Sequence, residues 1–307
     1  MNTKTWTAEA VESAVIQGNP NLEIVLGNYF KAFIVRLGEY DINLQGVNST
    51  EFLNEKVLEG IGKLEEMRKE FVSVVEMFAP SNNPILSRYL PSFFEDLLVF
   101  YEERGVNLYT GTGADVLRND HYRFFNQFLY ISLTSLLLEN RCFEALSALL
   151  HAKYKIYDKS YGTLRDVNFI RFRAYNYTLN QFLNKTTPKR VSVTADYIRN
   201  FSSSTDFDKF VRADILLYYM SLWNHVDSIF DSAWFPELSV YNRDMQILPH
   251  MVSKKYFEKA KVLFSINTVA EYKKLLETTT DKLDRQGLYR VPQLQAGLLH
   301  DTVGSVE

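Results

Sequence analysis

The sequence has one cysteine, Cys142, so no intramolecular disulfide can form and nothing supports an oxidising compartment. Glycine and proline are scarce as well. With 13 and 8 of 307 residues they make up about 7% of the chain against roughly 12% on average, which argues against turn-rich β architecture and against collagen. Long apolar runs are missing: the most apolar window, Phe128 to Leu138, is broken by Ser132, Thr134 and Ser135 and falls short of the roughly 20 residues a membrane span needs. Glu9 and Glu12 stand where a signal peptide would need uninterrupted apolar residues. Together these absences predict a cytoplasmic protein with no membrane association. His-Glu-x-x-His, Gly-x-Ser-x-Gly and Cys-x-x-Cys do not occur, so neither a metal nor a cofactor is expected.

What the sequence does have is helical periodicity and aromatic residues. Its composition, 46% hydrophobic and 23% charged, is that of a globular chain able to bury a core without staples. From about 49 to 79, Val57, Leu64, Phe71 and Phe78 recur every seven residues, which predicts one long amphipathic helix with Glu55, Lys63, Glu65, Glu66, Arg68, Lys69 and Glu70 on its solvated face. Further helices are expected at 7–17, 21–37, between Pro84 and Gly105, and at about 119–139, 142–157, 163–184, 194–201, 206–223, 252–264 and 268–279. The last of these opens on a capping box, Thr268-x-x-Glu271. Nothing alternates strands with helices, so the fold class is all-α: a multi-helix bundle or a short α-solenoid-like array. Three regions are expected: an acidic helical one at 1–105, a basic aromatic-rich one at 106–285 packed on it, and an irregular tail at 286–307.

Net charge is only -3, but its distribution is uneven. Residues 1–150 carry 12 basic and 20 acidic side chains, and residues 151–307 carry 22 and 17. The basic excess peaks at 151–200, where Lys153, Lys155, Lys159, Arg165, Arg171, Arg173, Lys185, Lys189, Arg190 and Arg199 face only three aspartates and are interleaved with Tyr and Phe. Cations alternating with aromatic platforms are what a single-stranded nucleic acid requires, so Lys155, Arg165, Arg171, Arg173, Lys189 and Arg190 are the candidate binding residues. The competing expectation puts these aromatics in the core and pairs the cations with the acidic half. His225 with Asp227 and Asp231 reads as a solvated helix end rather than a Mg²⁺ site. Cys142 reads as a small buried hydrophobe, and Gly111 to Asp115 as a connection.

One catalytic pattern stands out, Arg243-Asp244-Met-Gln-Ile-Leu-Pro249-His250. Its spacing resembles the Arg, polar residue, four to six residues, His motif of the all-α HEPN ribonuclease superfamily. That resemblance implies metal-independent phosphodiester cleavage, with His250 as acid or base and Arg243 stabilising charge on the phosphate. Pro249 departs from the family pattern, because a proline there disturbs the helix that displays the motif. A second resemblance, over His121 to Tyr130, Leu138 to Leu146 and His151 to Tyr154, is to helical regions of bacterial antiviral-defence and toxin-associated proteins, and it implies an interaction or sensing component. The sequence therefore leads first to a non-enzymatic helical protein that binds another macromolecule. That partner would be a protein, or a nucleic acid met through 151–200, and the long helix offers a surface for self-association. A HEPN-like ribonuclease is the alternative, and a small-ligand pocket lined by some of the 19 Tyr and 22 Phe is the third expectation.

Overall fold

The computed structural model describes residues 6–42, 49–81, 83–102, 117–158, 162–173, 175–183, 192–225, 233–242, 245–286 and 298–307. The fold is all-α and multi-helical. Helices α1 (Ala8–Ile16), α2 (Leu22–Leu37), α3 (Thr50–Glu76), α4 (Pro84–Leu97) and α5 (Val99–Glu102) precede the central helix α6 (Asp120–Glu139). After α7 (Phe143–His151) come strands β1 (Tyr154–Asp158) and β2 (Thr163–Val167), then α8 (Val193–Asn200), α9 (Ser204–His225), α10 (Lys254–Ala260) and α11 (Val269–Gln286).

Helix α6 is buried almost all round: from Asp120 to Ser135 only Arg123 is more than marginally exposed. A helix without a polar face must be enclosed by others, and α3, α7 and α9 pack around this one. The long helix α3 starts where Ser49 accepts the Phe52 N–H at 3.1 Å. It buries Leu53, Val57, Ile61, Leu64, Phe71 and Val74. Gly60 allows close approach to α6, since a Cβ there would meet the His121 ring at 3.2 Å. Aromatic rings knit α2, α3 and α4 together: Phe71 stacks on Phe93 with centroids 4.2 Å apart and meets Phe30 and Phe33 at 5.1 and 5.0 Å.

Three sequence expectations need correction. Glu65 and Arg68 are not on a solvated face. They form a buried pair facing α6, in which Arg68 donates to Glu65 at 2.6 and 2.7 Å and to Ser132 at 2.8 Å, and lies 3.9 Å over the Phe128 ring. The helices expected at 142–157 and 163–184 are also absent as such: α7 stops at His151, and an antiparallel hairpin pairs Tyr154 with Val167 and Asp158 with Thr163. Alternation decides this, because Tyr154 and Ile156 are buried while Lys155 and Tyr157 face outward, and Gly162 at φ +64 supplies the turn. Finally, α9 starts at Ser204, two residues before the expected 206, under a Ser203 cap whose Oγ accepts the Asp206 N–H at 3.1 Å. The capping box at Thr268 and Glu271 forms, with reciprocal bonds of 3.2 Å.

The end of the chain is stitched to the body. Val306 donates to the Val252 carbonyl at 2.9 Å and accepts from the Lys254 N–H at 2.7 Å, and Gly304 donates to the Met251 carbonyl at 2.8 Å. Leu298, Leu299 and Val303 are buried. No helix among the described residues is long and apolar enough to cross a membrane.

Candidate anion-binding site

The site is built where the turn after α6 meets the segment leading into α10. Helix α6 ends in a Schellman motif: Cys142 N–H reaches back to the Leu137 carbonyl at 2.8 Å and Arg141 N–H to Leu138 at 3.1 Å. The residue between cap and return in this motif takes a left-handed backbone, and glycine is the usual occupant. Here it is Arg141, at φ 59. Its guanidinium lies 5.4 Å from the Tyr256 ring centroid. From the other side, Pro249–Val252 forms a 3-10 turn that buries Met251 and leaves His250 exposed. The imidazole is 5.4 Å from the same Tyr256 ring, centroid to centroid.

Helix α10 completes the cluster. Ser253 caps it, accepting the Tyr256 N–H at 3.3 Å. Tyr256, Phe257 and Ala260 turn inward, which places Lys255 and Lys259, four residues apart, on one outer face. Arg141, His250, Ser253, Lys255, Tyr256 and Lys259 enclose a concavity of about 190 Å³. Burial pushes the Tyr256 hydroxyl up to about 12, partly offset by the Arg141 charge, so the pocket floor stays neutral at physiological pH.

Among the described residues, no carboxylate pairs with Arg141, His250, Lys255 or Lys259. Nearby acids are committed elsewhere: Glu139 bridges to Arg212 at 3.1 Å and Glu258 to Lys261 at 2.7 Å. Three cationic side chains and an imidazole converging with no counterion among the described residues form a field that an anion can neutralise. Larger concavities lack this property. In the groove of about 440 Å³ beside the hairpin, Lys155 pairs with Asp166 at 3.0 Å and Glu95 accepts the Lys155 N–H. In that of about 480 Å³ beside α3, Glu59 holds both Lys56 and Lys63. No group of three metal-ligating side chains occurs among the described residues.

Of the residues singled out from sequence, only His250 belongs to this site. Arg243 and Asp244 lie outside the described residues, as do Lys189, Arg190, Asp227, Asp231 and the Gly111 to Asp115 stretch. The remaining candidates stand as follows. Lys155 is bound across the hairpin. Arg173 pairs with Glu237 at 3.2 Å and stacks on Phe235, while Arg165 and Arg171 are exposed on β2 and on the 3-10 turn Phe169–Phe172. Tyr154, Phe169 and Phe172 are core residues around Tyr130.

Sequence reasoning missed Arg141, Lys255 and Lys259. Arg141 drew notice only as a neighbour that could activate Cys142, yet that thiol is buried, its pKa is raised chiefly by burial, and its Sγ lies 3.1 Å from the Ala79 carbonyl. The available signals were local: a non-glycine residue closing a tight helix-helix turn, and a Ser cap followed by lysines at one-turn spacing. Comparison with protein-family models, curated proteins and solved structures finds no match to this chain.

Proposed function

We propose that this chain is a non-enzymatic helical interaction protein that engages another macromolecule through an anionic group seated among Arg141, His250, Lys255 and Lys259. The observation that carries the reading is the convergence of these side chains on one concavity with no carboxylate among the described residues to neutralise them. Arg141 supports it independently. A left-handed backbone costs an L-residue roughly 1–2 kcal/mol, and an arginine rather than a glycine at such a position points to a role for its side chain. Ion contacts of this kind weaken with salt.

The test is a binding titration of the purified chain with labelled single-stranded RNA and with inorganic phosphate as competitor, at low and moderate salt. Lys255→Glu/Lys259→Glu is expected to abolish a salt-sensitive shift that Arg171→Glu/Arg173→Glu leaves in place. The reverse pattern would move the contact to the 151–200 region and reject this site.

A ribonuclease of HEPN type is the second reading, favoured by one feature. The His250 imidazole makes no hydrogen bond among the described residues and is flanked by three cations, an arrangement suited to proton transfer beside a charged phosphate. A denaturing gel run alongside the titration decides it: cleavage that disappears in both His250→Ala and Arg243→Ala, with folding intact, would replace the non-enzymatic reading.

A further inference from the structure

We infer that the anion this pocket takes is the terminal phosphate of a single-stranded nucleic acid, a phosphomonoester and not an internal phosphodiester or a carboxylate. The inference rests on the anion-site reading above. Size is the first argument: about 190 Å³ is below the roughly 300 Å³ at which pockets for whole small ligands begin. The concavity is sized for one phosphoryl group and opens to solvent, so the ligand presents a head group while its remainder lies outside.

Charge and donor count come next. A carboxylate or an internal diester brings one negative charge and two free oxygens, whereas a phosphomonoester brings close to two charges and three strong acceptors. The donors around this concavity, the Arg141 fork, the Lys255 and Lys259 ammonium groups, the His250 imidazole and the Ser253 hydroxyl, match the larger demand. The aromatic floor excludes base recognition inside the pocket. Tyr256 is only 7% exposed, with Arg141 and His250 against its ring, so no base can stack there and sequence is not read.

The surroundings choose nucleic acid over a phosphorylated protein segment. Between His250 and Lys261 the chain carries Lys254, Lys255, Lys259 and Lys261 against Glu258 alone, and Glu258 is taken by Lys261. Lys254 and Lys255 are both exposed. The next phosphates of a strand whose end is held in the pocket therefore lie over positive surface, an advantage that a phosphopeptide of ordinary composition does not share.

The experiment measures fluorescence anisotropy of ten-residue oligouridines bearing a 5′-phosphate, a 3′-phosphate or two hydroxyl ends, with the label at the opposite end or internally. A phosphoserine peptide of equal length is the fourth probe. A phosphorylated oligonucleotide is expected to bind about tenfold more tightly than the hydroxyl-ended one. Lys255→Gln/Lys259→Gln, at exposed positions with no partner among the described residues, is expected to erase that preference without lowering the thermal midpoint. Equal affinity for phosphorylated and hydroxyl ends overturns this inference while leaving the anion site standing. A phosphoserine peptide that binds as tightly as the phosphorylated oligonucleotide overturns the choice of nucleic acid. Absence of salt-sensitive binding to every probe overturns the anion-site reading beneath it.

Discussion

Arg141 gives the sharpest test, because the backbone and the side chain at this position are expected to pull in opposite directions. Its φ of 59 lies where a Cβ is penalised by roughly 1 kcal/mol and glycine is not. Its guanidinium over Tyr256 contributes about 0.5–1 kcal/mol at an exposed site. Arg141→Ala keeps the penalty and loses the ring contact, so it is expected to destabilise by about 0.5–1 kcal/mol. Arg141→Gly loses the contact and the penalty together, and is expected to lie about 1 kcal/mol above the alanine variant, close to the parent protein. Urea unfolding measures the difference as a shift of the midpoint by a few tenths molar for an m-value of roughly 3 kcal/mol/M. Both variants are expected to lose phosphate affinity alike, giving one variant with native stability and no binding. Alanine equal to or more stable than glycine would refute the left-handed assignment. Full binding by Arg141→Gly would remove the guanidinium from the site.

Other predictions follow from groups away from the pocket. Asp214 is fully buried, and its two carboxylate oxygens accept Trp234 Nε1–H at 2.6 Å and Leu238 N–H at 2.8 Å. Burial pushes its pKa up to about 7, so the native state holds a proton that the unfolded chain, near 3.9, has released. Stability is therefore expected to fall as pH rises from about 4 to about 7 and to level off above, and Asp214→Asn should flatten that dependence. Because an amide offers one acceptor to two donors, Asp214→Asn should also destabilise by about 1–3 kcal/mol at low pH, measured by urea unfolding. Arg68→Ala leaves the buried Glu65 with only the exposed Lys69 ammonium at 3.9 Å as a partner, and a loss of about 3 kcal/mol in the same assay is expected. Val306→Pro removes the donor to Val252. Faster amide exchange at Lys254 and weaker phosphate binding are expected, whereas unchanged exchange would show that the tail does not hold the turn that carries His250.

Helices with a clear seven-residue repeat or a local cap were legible in the sequence. The repeat of Val57, Leu64 and Phe71 locates α3, and Thr268 with Glu271 locates the start of α11. The hairpin was not, because Tyr154 to Tyr157 is too short a run for alternation to stand out beside the helical pattern preceding it. Glu65 and Arg68 were misplaced because charge alone does not tell a solvated residue from one buried with its partner. The candidate site was the least legible part. Arg141 and Lys259 are 118 positions apart in sequence, and their meeting depends on how the α6 turn docks against α10, a contact that no local period encodes. His250 was reached through a motif whose other member, Arg243, lies outside the described residues.

The enclosure of α6 also bears on synthesis. A ribosome releases Asp120 to Glu139 before it has made α9, so the side of α6 that Phe210, over the Phe128 ring, and Arg212, paired with Glu139, will help cover is open while the next several tens of residues emerge. The nascent chain thus carries an exposed row of Phe, Tyr and Leu, a target for chaperones and a point of self-adhesion at high expression. Splitting the chain after α7 would make that interim condition permanent. The N-terminal piece is expected to precipitate when made alone and to be rescued by co-expression of residues 152–307.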